Sequence, residues 1–375
     1  MMLGLDLLCC VSPRCVPRHA DIVLETIPPR DELFAQLEAL NWKPVAAALR
    51  HAVATVDEQL LLLGGNTYAL PAFPSLTPTL VHESRRQTWA LRVAYFGPAF
   101  RGFAWQRDSP LETVAGRLQE ALTPLLGGKS CQLSVAGRTD AGVSAIGQLV
   151  SFYSWPQLTE EQIRAAIDGA APDGSLRLLS AKRVPRSYHA TFSTRWRRYV
   201  YLLPMEPSLG VSAEAMRAQL EPLVGRRRDY AALGRGVPKG KETTCLLHHV
   251  DVRTLTLPSE ANGDQGGEGA PVLRIELVGD RFIRRQVRTL VASAVLAVRL
   301  DTLGASQPHP PRPPQPTDAD VDGRVRLNSA DALDSACASS LLLRMATSGV
   351  QRETAHPAPA VGLMFAGAGG EDDEW

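Results

Sequence analysis

Residues 135–145 read VAGRTDAGVSA, and the rest of the chain is organised around this polar segment. Apolar and polar residues alternate before it, and residues 149–153 form a compact β-prone run after it, which predicts a loop between two strands. Gly137 and Gly142 flank the only carboxylate of the segment, and glycine suits tight turns and close backbone approach. Asp140 is therefore the candidate reactive group, although an ordinary turn with a solvated aspartate fits the same residues. We call residues 137–143 the Asp loop.

The overall composition is that of a large chain with nearly balanced charge. With 375 residues, 45% of them hydrophobic, the chain can bury a sizeable core and is predicted to contain two or three structural units. Lys and Arg total 40 against 39 Asp and Glu, so nucleic-acid binding would depend on local basic clusters. Such clusters occur at residues 195–198, 226–228 and 281–288. No apolar run is long enough to span a bilayer, so we expect no membrane role.

Cysteine usage and the N-terminal composition bear on the compartment. The six cysteines form no CxxC pair, which predicts a reducing, intracellular environment without a structural metal. Residues 1–30 contain three arginines, but also three acidic residues and little serine. This is only part of the composition of an organelle transit segment, so cytoplasm, nucleus and organelle all stay open.

Apolar periodicity predicts alternating strands and helices. An amphipathic helix is expected over residues 45–63, followed by a linker over 68–81. Downstream, the same patterns predict strands at 89–94, 176–184, 196–203, 272–278 and 357–365, and helices that begin near Val114, Thr159 and Ser212. The order is β-α-β-β-α-β and then approximately the same again. It predicts an α+β fold of two similar mixed α/β halves with antiparallel sheets.

These elements divide the chain into four parts. Residues 1–86 form an N-terminal extension with a helical region and the candidate targeting segment. Residues 87–205 form an N-terminal half with the Asp loop, and residues 206–366 form a C-terminal half with the arginine-rich segment. A proline-rich stretch at 304–327 is predicted to be a disordered insertion, and residues 367–375 an acidic tail.

Two segments carry side chains suited to RNA. Residues 95–106 mix aromatic residues with glycine and end in Gln106, and such a loop can stack on bases or simply cap a core. In residues 281–288, four arginines recur at spacings of three and four, which predicts one face of a helix. Like charges on one helix face repel, so this stripe needs anions or acidic partners unless it is a solvated face.

The 196–203 strand brings charged and aromatic side chains together. In an extended strand Arg197, Tyr199 and Tyr201 share one face, so pattern alone does not separate the two tyrosines. Arg195, Arg197 and Arg198, together with the arginine cluster at residues 281–285, are candidates for contacts with RNA phosphates.

Together these motifs resemble those of the TruA-type tRNA pseudouridine synthases. The most specific match is the unbroken Gly-Arg-Thr-Asp-Ala-Gly-Val at residues 137–143. Supporting matches occur in the family's order at Tyr95, Gly97, Trp105-Gln106, Gly147-Gln148, residues 188–193, Arg197-Arg198-Tyr199, Phe282, Val287-Arg288 and residues 358–363. The resemblance covers roughly residues 88–365.

The resemblance implies a pseudouridine synthase-type core that isomerises uridine to pseudouridine in the anticodon stem-loop of tRNA, without cofactor or metal. It gives Asp140 the role of catalytic carboxylate, places the cation Arg288 beside it, and stacks Tyr199 on the target uracil. The other residues that it implies for substrate binding are Arg138, Gln106, Gln148, Phe282, Arg284 and Arg285. It also implies tRNA as the partner and a homodimer as the assembly.

The chain departs from the family pattern at three places. Phe96 stands where the family commonly has Asp, Ser144 where it has His, and Asp280-Arg281 where an Asn is usual. These differences concern substrate choice more than the reaction. The alternative function is a catalytically inactive RNA-binding or RNA-chaperone protein of the same fold, and the retained Asp140 argues against it.

Overall fold

A computed structural model of the protein describes residues 30–55, 62–63, 86–258, 269–305 and 340–370. The candidate targeting segment, the predicted linker at 68–81, residues 306–327 of the proline-rich stretch and residues 371–375 of the acidic tail lie outside the described residues. The strands within the described residues are β1 (Gln87–Tyr95), β2 (Ser134–Val135), β3 (Ser144–Ser154), β4 (Leu176–Val184), β5 (Trp196–Pro204), β6 (Arg227–Asp229), β7 (Thr244–Leu257), β8 (Ala270–Gly279) and β9 (Leu363–Gly369).

These nine strands form one sheet in the order β4-β1-β3-β9-β5-β8-β7-β6, with β2 added on β3. Neighbouring strands pair antiparallel except at β3 and β9, which are parallel and share a short register of Ser144 with Met364 and Ala145 with Phe365. The mixed α/β class and the mainly antiparallel pairing are therefore confirmed. The expectation of separate sheets is corrected, because β9 hydrogen-bonds to β3 on one side and to β5 on the other. The proposed division into halves remains a prediction.

The helices within the described residues are α1 (Arg30–Ala39), α2 (Lys43–Ala54), α3 (Val114–Leu122), α4 (Glu160–Ala170), α5 (Ala213–Leu220), α6 (Gln286–Ala305) and α7 (Leu341–Thr347). The helices predicted near Val114, Thr159 and Ser212 are confirmed. Thr159 and Gln162 form a capping box at the start of α4, in which each side chain bonds the other residue's backbone N–H. No helix in the described part of the chain is long and apolar enough to cross a membrane.

The sheet has a hydrophobic core on each face. The larger core contains Tyr199 and Tyr201 of β5 together with apolar residues of α3 to α7. The smaller core contains Val200 and Leu202, which point the other way, and the buried stripe of α2, including Leu49. The side-chain alternation predicted for this strand is thus confirmed.

Helix α2 and residues 62–63 pack on the second face of the sheet, whereas the buried leucines of α1 belong to the larger core. Helix α2 ends at Ala54, short of the predicted limit at residue 63. Arg274 of β8 is 1% exposed and donates to the carbonyl oxygens of Leu62 and Leu63 at 2.8 Å each. Its remaining contacts are carboxylates, Asp251 at 3.1 Å and Glu276. A buried guanidinium satisfied in this way fixes these N-terminal residues to the sheet.

Candidate active site

The Asp loop connects β2 to β3, as the sequence predicts. Behind it lies the segment that follows β1. A Cβ atom on Gly97 would lie 2.2 Å from the carbonyl carbon of Val143, so no larger residue fits there without a backbone shift. The backbone N–H of Phe103 donates to the carbonyl oxygen of Thr139 at 3.1 Å. The loop is therefore held against the backbone segment that follows β1.

A buried hydrogen-bond network supports the loop from below. The Nε2 atom of Gln148, on β3, donates to the carbonyl oxygen of Gly137 at 2.7 Å and to the Tyr95 hydroxyl at 3.2 Å. That hydroxyl also lies 2.8 Å from the hydroxyl of Thr139. Burial raises the pKa of Tyr95 to about 12, while its hydrogen bonds to Thr139 and Gln148 oppose the rise. The network fixes the residues on both sides of Arg138, immediately before the carboxylate.

Arg288 lies beside Asp140. Its Nη1 atom is 3.6 Å from the Asp140 Oδ2 atom, and the two side chains are 15% and 28% exposed. Arg288 is held from the other side, because its Nε donates to the carbonyl oxygen of Ala358 and the Ala358 N–H donates to the Arg288 carbonyl at 3.1 Å. Burial lowers the pKa of Arg288, and the negative charge of Asp140 opposes that change. An arginine keeps its proton at neutral pH, so a fixed positive charge faces the carboxylate.

Tyr199 completes the group. Its ring makes edge contacts with Phe282 and Phe365, both with centroids at 5.1 Å, and 7% of the residue is exposed. Burial raises the pKa of Tyr199 well above its ordinary range, and Arg197 opposes this. A Cβ atom on Gly137 would lie 3.3 Å from the Tyr199 hydroxyl, which therefore points at the start of the Asp loop. That hydroxyl has no hydrogen-bond partner among the described residues.

Packing separates the two tyrosines that the sequence pattern left equivalent. Tyr201 is fully buried, and its hydroxyl donates to the carbonyl oxygen of Pro359 at 2.9 Å. Tyr201 is thus a core residue that fixes the segment running up to β9, next to Ala358 and its contact with Arg288. The structure brings together Asp140, Arg288 and Tyr199.

The arginine-rich segment differs from its prediction. Helix α6 begins at Gln286, so Arg281, Arg284 and Arg285 precede the helix and do not form a stripe on it. Arg285 has a left-handed backbone with φ of 63°, which ends any helical path before this point. Arg281 pairs with Glu242, and the Arg284 Nη1 donates to the Gly236 carbonyl at 3.3 Å. Arg284 and Arg285 are both exposed.

Arg197 and Arg198 make contacts within the fold, and their contact with RNA phosphates stays a prediction. Arg197 donates to the carbonyl oxygens of Ala136 at 2.9 Å, Thr191 at 3.4 Å and Asp280. Arg198 is 7% exposed and lies 3.5 Å from a carboxylate oxygen of Glu276. The sequence does carry one signal for the contact between Arg197 and Ala136, because strand alternation puts Arg197 on the same face as Tyr199.

The remaining predicted substrate residues lie at different depths. Arg138 is exposed and has no hydrogen bond or ion pair within the described residues. Gln106 is exposed and donates to the Arg101 carbonyl at 2.8 Å. Phe282 is half-buried against Tyr199, whereas Gln148 is fully buried beneath the loop. Tyr95 supports the loop as well, although sequence reasoning gave it no role beyond its match to the family.

Sequence comparison identifies the family. No family model matches the chain. The chain is 30% identical over 220 residues to tRNA pseudouridine synthase A of Synechococcus sp.. The matched region covers 55% of this chain and 67% of the relative. The chain belongs to the tRNA pseudouridine synthase A family. The family's enzymes from Streptococcus equi and Neisseria gonorrhoeae are 29% and 26% identical over 216 and 226 residues, covering 80% and 78% of those relatives and 54% and 56% of this chain.

Among solved structures, the chain is similar to one in an H/ACA RNP bound to a substrate RNA containing 2′-deoxyuridine, with 12% identity and a TM-score of 0.28. That match covers 63% of this chain and 50% of the other.

For this member of the tRNA pseudouridine synthase A family, the described residues contain no group of three His, Cys, Asp or Glu placed to hold a metal ion.

Proposed function

We propose that this chain isomerises uridine to pseudouridine in tRNA and that Asp140 is the catalytic carboxylate. The observation that carries the proposal is the 3.6 Å contact between Asp140 and Arg288, next to the Tyr199 hydroxyl. It occurs on the loop with the family's most specific motif, in a chain whose relatives are named tRNA pseudouridine synthase A.

The reaction requires no external atoms. The C1′–N1 bond of the uridine breaks, the freed base turns, and a C5–C1′ bond forms. The proton on C5 then leaves, and N1 takes up a proton. A carboxylate is suited to this chemistry because it can attack C1′ or C6 or remove the C2′ proton, and the residues of the site are compatible with each route.

Arg288 supplies a positive charge beside the Asp140 carboxylate. A uracil that enters the site displaces water from Asp140, and a negative charge that loses its water is costly unless a cation compensates. Arg288 supplies that cation, and its bonds to Ala358 hold it in place before substrate arrives. Preorganised charge of this kind costs no rearrangement at the moment of reaction.

Tyr199 contacts the base. A tyrosine hydroxyl is neutral near pH 7, and burial raises the pKa of Tyr199 further, so the hydroxyl can donate or accept a hydrogen bond. It faces the start of the Asp loop, where it can meet the proton that leaves C5.

The target uridine must leave its stack to reach Asp140, at a cost of roughly a few kcal/mol. Contacts of arginines with phosphates offset this cost, and our candidates for them are Arg138, Arg284 and Arg285, which are exposed. We carry over from the resemblance that the target lies in the anticodon stem-loop and that the enzyme acts as a homodimer.

The test is pseudouridine formation in an unmodified tRNA transcript, mapped by position after incubation with wild type or Asp140→Ala. We expect conversion by the wild type alone, with tRNA binding retained by the variant. Equal conversion by both proteins would refute the assignment of Asp140. If neither protein converts the tRNA while both bind it, the RNA-binding alternative is favoured.

A further inference from the structure

Phe192 is the most exposed large apolar side chain in the described part of the chain, at 76%. Its ring is not isolated, because it packs against the imidazole of His189 with a centroid distance of 4.5 Å and an angle of 32° between the planes. One face of this aromatic pair therefore remains open to solvent. A phenylalanine ring offers a large apolar face that can stack on a second ring.

The turn that carries Phe192 is held firmly. The backbone N–H groups of Phe192 and Ser193 both donate to the His189 carbonyl, at 3.0 and 2.8 Å. The Thr191 hydroxyl donates to the Val135 carbonyl at 2.7 Å. The imidazole Nε2 of His189 lies 2.8 Å from the hydroxyl of Ser134. A fixed backbone presents the ring in one position, which lowers the entropic cost of using it in binding.

The same turn borders the candidate active site. The guanidinium of Arg197 donates to three carbonyl oxygens, those of Thr191, Ala136 and Asp280. Ala136 immediately precedes the Asp loop, and Asp280 lies two residues before Phe282, which contacts Tyr199. Through Arg197, the Phe192 turn is therefore joined to the residue that precedes the Asp loop and to the segment that leads to Phe282.

We propose that Phe192, backed by His189, is a stacking platform for a nucleobase of the tRNA strand near the target uridine. This inference rests on the proposed function and names a subsite for its substrate. A base is favoured as the occupant because the exposed side chain of Arg138, on the neighbouring Asp loop, supplies positive charge, which suits the phosphates on either side of a stacked base. Stacking on a ring tolerates any base, so the platform positions the strand without reading its sequence.

The experiment measures the Kd of the full-length chain for an unmodified tRNA transcript, with Phe192→Ala, Phe192→Leu and Phe192→Trp. We expect Phe192→Ala to raise the Kd about tenfold, Phe192→Leu to behave similarly, and Phe192→Trp to stay within about threefold of wild type. The slope of log Kd against log salt concentration should not change with Phe192→Ala, because no phosphate contact is lost. The matched control is Trp155→Ala, since Trp155 is 53% exposed and follows the end of β3 that lies away from the Asp loop.

Several outcomes would overturn the platform. Wild-type affinity in Phe192→Ala would do so and would favour a protein contact at this ring. A loss of tRNA affinity in Phe192→Trp as large as in Phe192→Ala would exclude stacking. A smaller slope of log Kd against log salt concentration in Phe192→Ala would indicate a charged contact instead. Thermal unfolding checks that the variants fold.

The platform and the proposed function fail separately. If the wild type forms pseudouridine and Phe192→Ala binds tRNA normally, only the platform is wrong. If Phe192→Ala weakens binding but the wild type forms no pseudouridine, the platform stands and the proposed reaction is wrong. If the wild type does not bind tRNA, both are wrong.

Discussion

Asp140 has one charged partner among the described residues, and that partner is fixed independently of it. Arg288 is bonded to Ala358 through both its side chain and its backbone, so its position does not depend on the carboxylate. Removal of the guanidinium would leave Asp140 without a compensating charge in a site that becomes drier when substrate binds. The expected defect lies in chemistry rather than in tRNA capture.

We predict that Arg288→Ala lowers the single-turnover rate of pseudouridine formation by about a hundredfold, while the Kd for tRNA changes less than about threefold. Arg288→Lys keeps the positive charge but lacks the planar guanidinium group, so its rate should fall between those of wild type and Arg288→Ala. Thermal unfolding of both variants checks for loss of the Ala358 contact. A defect confined to tRNA binding would contradict this role.

At this scale, sequence reasoning found the reactive group but not all of its neighbours. Asp140 stands out because it is the only carboxylate of residues 135–145 and lies between Gly137 and Gly142. Tyr199 and Tyr201 share a strand face, and only their packing partners, Phe282 on one side and Pro359 on the other, tell them apart. Contacts between residues so far apart in the chain leave no local pattern.

The Asp loop, as an element, depends on a close backbone contact that a single methyl group would break. Gly97 and Val143 approach so closely that a Cβ atom at residue 97 meets backbone atoms rather than a movable side chain. Gly169, near the end of α4, is the opposite case, because nothing lies within 4 Å of the position of its Cβ atom.

We predict that Gly97→Ala displaces the loop, lowers the rate of pseudouridine formation at least tenfold and destabilises the fold by about 1–3 kcal/mol. Gly169→Ala, its matched control, should leave the rate unchanged and add up to about 1 kcal/mol of stability, since alanine favours a helix. Urea unfolding and single-turnover rates measure both effects. If Gly97→Ala matches wild type in rate, the loop tolerates displacement and its geometry is not critical.

The segment before α6 does not form the helix that its arginine spacing predicts. Four arginines at spacings of three and four fit a helix, yet the chain turns at Arg285 and the helix starts one residue later. The Asp280 carboxylate accepts from the Leu246 N–H at 2.9 Å and pairs with Arg227 at 2.7 Å, which fixes the segment to β7 and β6. These partners lie more than thirty residues away, so they override a local charge pattern.

At the scale of the whole molecule, the last strand joins the sheet into one unit. The sequence predicts a closing strand near residues 357–365, but it does not indicate the partners of that strand. In the fold, β9 lies between β3 and β5, and Phe365 reaches Tyr199 from there. A parallel pairing between segments more than two hundred residues apart is set by packing and cannot be inferred from local alternation.

Burial of titratable groups across this core predicts a loss of stability in alkali. Burial raises the pKa of both Cys131 and Cys245 to about 12, against 9.0 for an ordinary thiol. The folded chain thus keeps protons that the unfolded chain loses above about pH 9. The stabilisation is complete below that pH and disappears as the pH rises towards 12.

We expect the free energy of unfolding in urea to fall between pH 8 and pH 10 by about 1 kcal/mol for each of these thiols. Cys131→Ala should remove the part of this decrease that the Cys131 thiol contributes, so the free energy of unfolding should depend less steeply on pH. An unchanged pH dependence in that variant would show that this thiol does not retain its proton in the fold.

The central claim, that the negative charge of Asp140 performs the isomerisation, is tested most directly by Asp140→Asn. This substitution keeps the shape of the side chain and removes only its charge. The account predicts that the Kd for an unmodified tRNA transcript stays within about threefold of wild type, while the single-turnover rate of pseudouridine formation falls at least about a thousandfold. Pseudouridine formation at the wild-type rate by Asp140→Asn would contradict it.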